Sequence, residues 1–241
     1  MQTSESRTRV CVPVCEKNLS AFKSACERAT EWADIVEFRL DCLEPQDVSA
    51  AVSELTSFPS PLILTFRPSE QGGYRDLARE ERLAFWQTQT ARGDAVWWDV
   101  EGDLVHDLSP DWSRTIVSHH DFSGVPSDLD YERLAQSPAR VIKIAVQANE
   151  IVDCIPVFGL IDRAHGESRD VIVIAMGNAG IATRILGPSR GAFLTYGSLD
   201  EESATASGRM RSLTNKASAS NMIATSLFIL SIVIPRRLCL R

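Results

Sequence analysis

The sequence predicts a single-domain α/β protein built as a (β/α)8 TIM barrel. Short runs rich in Val and Ile recur eight times, longer amphipathic stretches separate them, and the chain has 241 residues. One such barrel takes roughly 250 residues. No GxGxxG or Walker A loop follows the first run, so an open nucleotide-binding sheet loses its usual cue.

The strand candidates are VCVPVC from Val10, DIVEFRL from Asp34, LILTFR from Leu62 and AVWWDVE from Ala95. TIVSHH from Thr115, RVIKIAV from Arg140, DVIVIAM from Asp170 and GAFLTYG from Gly191 complete the set. Helix-like segments begin at Leu19, Pro45, Leu77, Ser127 and Ala148. Residues 1–9 read as a polar extension, 10–210 as the barrel with a lid near 198–210, and 211–241 as a divergent tail. The tail's apolar run from Met222 to Ile234 is only 13 residues, short of the roughly 20 that span a membrane. A divergent tail is expected rather than a membrane anchor, with a last barrel helix, an interface segment and a shifted reading frame as the open alternatives.

A net charge of −7 and a pI near 5.2 argue against a nucleic-acid partner. They leave an anionic ligand open, because a site's local charge can oppose the net charge. The six cysteines form no CxxC pair and no zinc spacing. Cys11 and Cys15, on an apparent strand, are expected as buried free thiols. The N-terminus lacks an apolar signal core, so a reducing cytoplasm is the expected location.

Strand side chains alternate between two faces. Val36, Phe38 and Leu40 then face the helices, which turns Glu37 and Arg39 into the barrel. Leu62, Leu64 and Phe66 put Thr65 and Arg67 inside. Trp98 and Val100 do the same for Asp99 and Glu101, and Ile142, Ile144 and Val146 for Lys143. Barrel interiors are normally filled by branched apolar side chains. Three carboxylates against three cations are costly to bury unless paired, so they suggest a site for a small hydroxylated or anionic molecule.

Lys143 lies mid-strand, where a solvated lysine is out of place. A neutral amine there attacks a ketone and forms a Schiff base. A structural lysine paired with Glu37 or Asp99 is the competing reading. In SHHDF, the parity that sends Val117 outward sends His119 outward and His120 inward, beside Lys143 and at the end where barrel sites form. Imidazole suits proton transfer near neutral pH. In MGNAGIATRI, Gly177 and Gly180 permit a tight turn before a short helix carrying Arg184, which suits a carboxylate or phosphate. The small, polar stretch SLDEESATASGRM reads as a lid.

These motifs resemble the type I 3-dehydroquinate dehydratases over about residues 10–209. ADIVEFRLD, LTFRPSEQGG, SHHDF, IKIAV and MGNAGIATRI look like the family's motifs, in the family's order. The resemblance implies a lyase that dehydrates 3-dehydroquinate to 3-dehydroshikimate. Lys143 would form the imine and His120 would act as general acid and base, with no metal or organic cofactor. It implies substrate contacts from Glu37, Arg39, Arg67 and Arg184, and from Thr205 and Arg209 in the lid. It also implies a homodimer. Gln71 stands where many members have a glutamate that orients the histidine, and Ser207-Gly208-Arg209 replaces a Pro-Gly-Gln-like lid sequence. Two other readings remain: another class I Schiff-base aldolase, and a non-catalytic barrel binding a related hydroxy acid.

Overall fold

A computed structural model describes residues 9–53, 58–89, 95–124, 126, 128–199 and 210–211. The eight expected strands are present: β1 (Val10–Val14), β2 (Ile35–Arg39), β3 (Leu62–Thr65), β4 (Val96–Glu101), β5 (Thr115–Asp121), β6 (Val141–Gln147), β7 (Asp170–Met176) and β8 (Thr195–Ser198). All pair in parallel, in the order β7-β6-β5-β4-β3-β2-β1-β8. At the β7–β8 seam, the Phe193 N–H donates to the Val171 carbonyl at 2.7 Å. The barrel is therefore nearly closed.

Helices α1 (Leu19–Thr30), α2 (Pro45–Ser53), α3 (Arg79–Thr88), α4 (Asp128–Ala135), α5 (Cys154–Gly166) and α6 (Ile181–Leu186) lie between strands. Their sequences show why. In α1, Asn18 caps the N-terminus by accepting from the Ala21 N–H, and Phe22, Ala25, Cys26 and Ala29 form one buried stripe at helical spacing. In α5 the stripe is Val157, Leu160, Ile161 and Ala164. These stripes meet the outward residues of the strands, among them Val36, Phe38, Leu64, Val100, Ile142 and Ile144. Truncating Phe22, which packs edge-on against Phe38, to alanine would cost about 3–5 kcal/mol.

Three features differ from the sequence expectation. The last strand starts at Thr195, not Gly191, because residues 188–190 form a 3-10 turn that Gly191 ends at φ +102°. A two-residue strand, β9 (Met210–Arg211), pairs in parallel with β8. Cys15 is no free thiol: it is bonded to Cys42, with Cα atoms 5.2 Å apart. The spacing hid this pair because the barrel brings the ends of β1 and β2 side by side. Cys11 is a buried thiol outside any disulfide, as expected. The lid positions 200–209 and the tail from 212 lie outside the described residues.

Climbing the strands explains where the site falls. The lower interior is apolar, with Ile35, Ile63, Trp97, Ile116, Val141 and Leu194 packed together. Two residues further along the same strands stand Glu37, Thr65, Asp99, Ser118, Lys143 and Tyr196, all buried. A side-chain period of two keeps each pair on one face. The polar layer therefore rests on an apolar floor and faces the C-terminal end, where barrel sites form.

Candidate active site

One cavity of about 180 Å³ opens at this end, and Glu37, Arg39, Arg67, His120, Lys143 and Arg184 all line it. Six of the eight residues singled out from sequence thus converge. The other two, Thr205 and Arg209, lie outside the described residues.

Lys143 is 4% exposed. Its Nζ donates to Asp99 Oδ2 at 2.6 Å and to the Tyr196 hydroxyl at 2.9 Å, and Glu37 Oε1 is 3.8 Å away. Burial pushes the Asp99 carboxyl up, but the charges of Arg67 and Lys143 outweigh it and hold the group at about 2. Burial raises the Tyr196 hydroxyl well above its ordinary value, with Glu37 adding to the effect. It therefore stays protonated and can donate in turn. Glu37 Oε1 accepts from Thr65 at 2.8 Å.

Arg67 links the carboxylates to the histidine. Its Nη2 is 2.7 Å from Asp99 Oδ1 and its Nε is 3.5 Å from Glu101 Oε1. Its Nη1 lies 3.0 Å from His120 Nδ1 and in contact with Nε2. A guanidinium only donates, so a ring nitrogen facing it must be bare. Desolvation in the cavity, then the charges of Arg67, Lys143 and Arg39, hold His120 well below its ordinary value. The ring is thus neutral near pH 7 and free to take a proton. Its backbone N–H donates to Gln71 Oε1 at 2.8 Å. His119 faces outward, 3.7 Å from Asp130 on α4, as parity required.

Two glycines shape the rim. A Cβ on Gly73 would lie 1.9 Å from the Arg67 carbonyl oxygen, so only glycine lets this loop cross the end of β3. Gly177 adopts φ +81°, where a side chain is disfavoured, and turns the chain from β7 toward Arg184. Arg184 is buried and reaches the cavity from α6.

Sequence reasoning missed Asp41 and Tyr196. Asp41 is fully buried and holds Arg39 through two hydrogen bonds, Nε to Oδ1 at 2.9 Å and Nη2 to Oδ2 at 2.7 Å. It lies beyond the strand, in a 3-10 turn where alternation no longer applies. Its signal was a carboxylate two residues after an inward arginine. Among the described residues, no group of three or more His, Cys, Asp or Glu side chains is placed to hold a metal ion. None of the described helices is long and apolar enough to cross a membrane.

Fold and site define a (β/α)8-barrel protein with a buried lysine, a neutral histidine and several arginines in its mouth. The profile of the family described as Type I 3-dehydroquinase matches residues 10–222. The 3-dehydroquinate dehydratase of Methanococcus maripaludis is 30% identical over 213 residues, 83% of this chain and 94% of that one. That of Dehalococcoides mccartyi is 32% identical over 208 residues, 82% of this chain and 90% of that one. The crystal structure of the Geobacillus kaustophilus 3-dehydroquinate dehydratase superposes with a TM-score of 0.74 at 21% identity, covering 95% of this chain and 93% of that one. This last likeness speaks to the fold alone. The chain belongs to the type I 3-dehydroquinase family, a family of hydro-lyases.

Proposed function

We propose that the chain dehydrates 3-dehydroquinate to 3-dehydroshikimate, a step of the shikimate pathway, through an imine on Lys143. The observation that carries this reading is that one cavity is lined by Lys143, His120 and Arg184 together. Lys143 passes a proton to neutral His120, the freed amine adds to the substrate ketone, and His120 returns that proton as the adduct loses water, giving the imine. The imine acidifies the neighbouring carbon, and neutral His120 takes its proton. His120 then returns the proton to the departing hydroxyl, which leaves as water. Hydrolysis of the imine frees the enone and restores the amine.

Asp99 and Tyr196 aim the amine, since Nζ is bonded to both. Arg184 takes the substrate carboxylate by charge-assisted hydrogen bonds. Glu37, Arg39 and Arg67 take its hydroxyls, and resemblance to the family adds Thr205 and Arg209, outside the described residues, as further substrate contacts. The same reading expects a cytoplasmic enzyme, a compartment in which a disulfide such as Cys15–Cys42 is uncommon. Incubating the purified chain with 3-dehydroquinate tests the activity: the ultraviolet absorbance of the enone must rise. A folded sample that produces none contradicts the assignment.

A further inference from the structure

The Arg39 guanidinium is held from two loops. Asp41 grips it at two points, and the same carboxylate accepts the Tyr74 N–H at 2.9 Å. Arg39 Nη2 also donates to the Gly72 carbonyl at 3.2 Å. Asp41 thus ties the turn after β2 to the loop after β3, on both sides of an arginine that lines the cavity. The residue after Asp41 is Cys42, whose Sγ lies 3.9 Å from Asp41 Oδ2 and is bonded to Cys15 at the end of β1. Beyond the disulfide, the loops after β1 and β2 are joined by the Glu44 N–H, which donates to the Lys17 carbonyl at 2.8 Å, and the starts of α1 and α2 by the Leu19 N–H, which donates to Asp47 Oδ2 at 3.1 Å. Neither holds the 3-10 turn at Asp41 itself. Cys42 is buried, whereas Cys15 is half-buried.

We propose that Asp41 is a positioning residue that holds Arg39 for the substrate, and that the Cys15–Cys42 disulfide makes this hold sensitive to dithiol reductants. A dithiol supplies the chemistry. One of its thiolates attacks Sγ of Cys15 and expels Cys42 as a thiolate. Its second thiol then closes its own disulfide, releasing Cys15. Two electrons and two protons pass to the protein, and the dithiol is oxidised. With the cross-link gone, the turn at Asp41 gains freedom and Arg39 is held less well. This inference rests on the proposed substrate, because Arg39 matters only as a substrate contact.

The test compares the full chain before and after dithiothreitol, with reduction verified by a mass gain of two hydrogens. Reduction should raise KM for 3-dehydroquinate about tenfold and leave kcat within about twofold, the signature of lost binding. Reoxidation should restore it. Cys15→Ser should carry the raised KM from the start and ignore the reductant. Asp41→Asn should raise KM in both redox states, with Asp41→Glu recovering part of the loss. Amide exchange at Tyr74 reads the hold without turnover and should quicken on reduction. A verified reduction that changes neither KM nor Tyr74 exchange overturns the proposal, as does a fall in kcat at constant KM. If exchange quickens but no enone forms in either state, the functional assignment fails and the structural link stands.

Discussion

Lys143 and Asp99 form a buried ion pair, with Nζ 2.6 Å from Oδ2. The same carboxylate is paired to Arg67 through its other oxygen at 2.7 Å. Two cations thus share one anion, and losing that anion leaves both buried. Asp99→Asn should destabilise the fold by about 3–5 kcal/mol, the range for breaking a buried pair. Its carboxyl is held at about 2, below its ordinary 3.8. Its contribution is therefore present above pH 3.8 and lost as pH falls through about 2, an acid-dependent loss on the order of 2 kcal/mol. Denaturant unfolding between pH 2 and 6 should show this slope in the native chain and not in Asp99→Asn.

Glu101 makes the opposite prediction. Burial, reinforced by Asp99 and opposed by Arg67 and Arg82, lifts its carboxyl from 4.5 to about 7. A raised value means that stability is fully present below 4.5 and lost as pH rises through about 7. Glu101→Gln removes this dependence. Relative to the native chain, the variant should gain about 3 kcal/mol between pH 4.5 and pH 8. A stability difference that stays constant with pH would contradict the account.

His120 should show its environment in the rate profile. Desolvation and the cations around it hold the ring below its ordinary 6.5. The acid limb of kcat/KM should therefore fall below pH 6.5, leaving the rate nearly flat toward neutrality. His120→Ala should cost about 100-fold to 10,000-fold in kcat, the usual range for a general acid–base group. A histidine inflection at the ordinary value would place the ring in water.

Gly73→Ala forces a Cβ to within 1.9 Å of the Arg67 carbonyl oxygen, so the backbone must move. The variant should lose about 3 kcal/mol or more and most of its activity, since Arg67 and Gln71 flank the displaced loop. Gly159→Ala on α5 meets nothing within 4 Å and should be neutral or stabilising. Thermal unfolding of the two variants separates a steric demand from a general intolerance of substitution.

The inward charges were legible because strands alternate strictly. One apolar residue facing the helices fixes the direction of its neighbours, as Val36 and Phe38 do for Glu37. The choice of His120 over His119 followed from the same parity. Alternation is silent once a strand ends. Asp41 sits in a 3-10 turn, so nothing in the pattern aimed it at Arg39. The Cys15–Cys42 bond was illegible for a related reason. It joins residues 27 apart that meet only because β1 and β2 are neighbours in register. Tyr196 lies within β8, and the run GAFLTYG carries Ala192, Phe193 and Leu194 in succession, apolar on both faces, so alternation had nothing there to fix its direction.

The central claim is that Lys143 bonds covalently to the substrate. The direct measurement is borohydride reduction of the chain in the presence of 3-dehydroquinate, followed by peptide mass spectrometry. The account predicts a stable adduct on Lys143, and none on Lys143→Ala, which should be folded and inactive. Turnover with no trapped adduct, or a fully active Lys143→Ala chain, would contradict it.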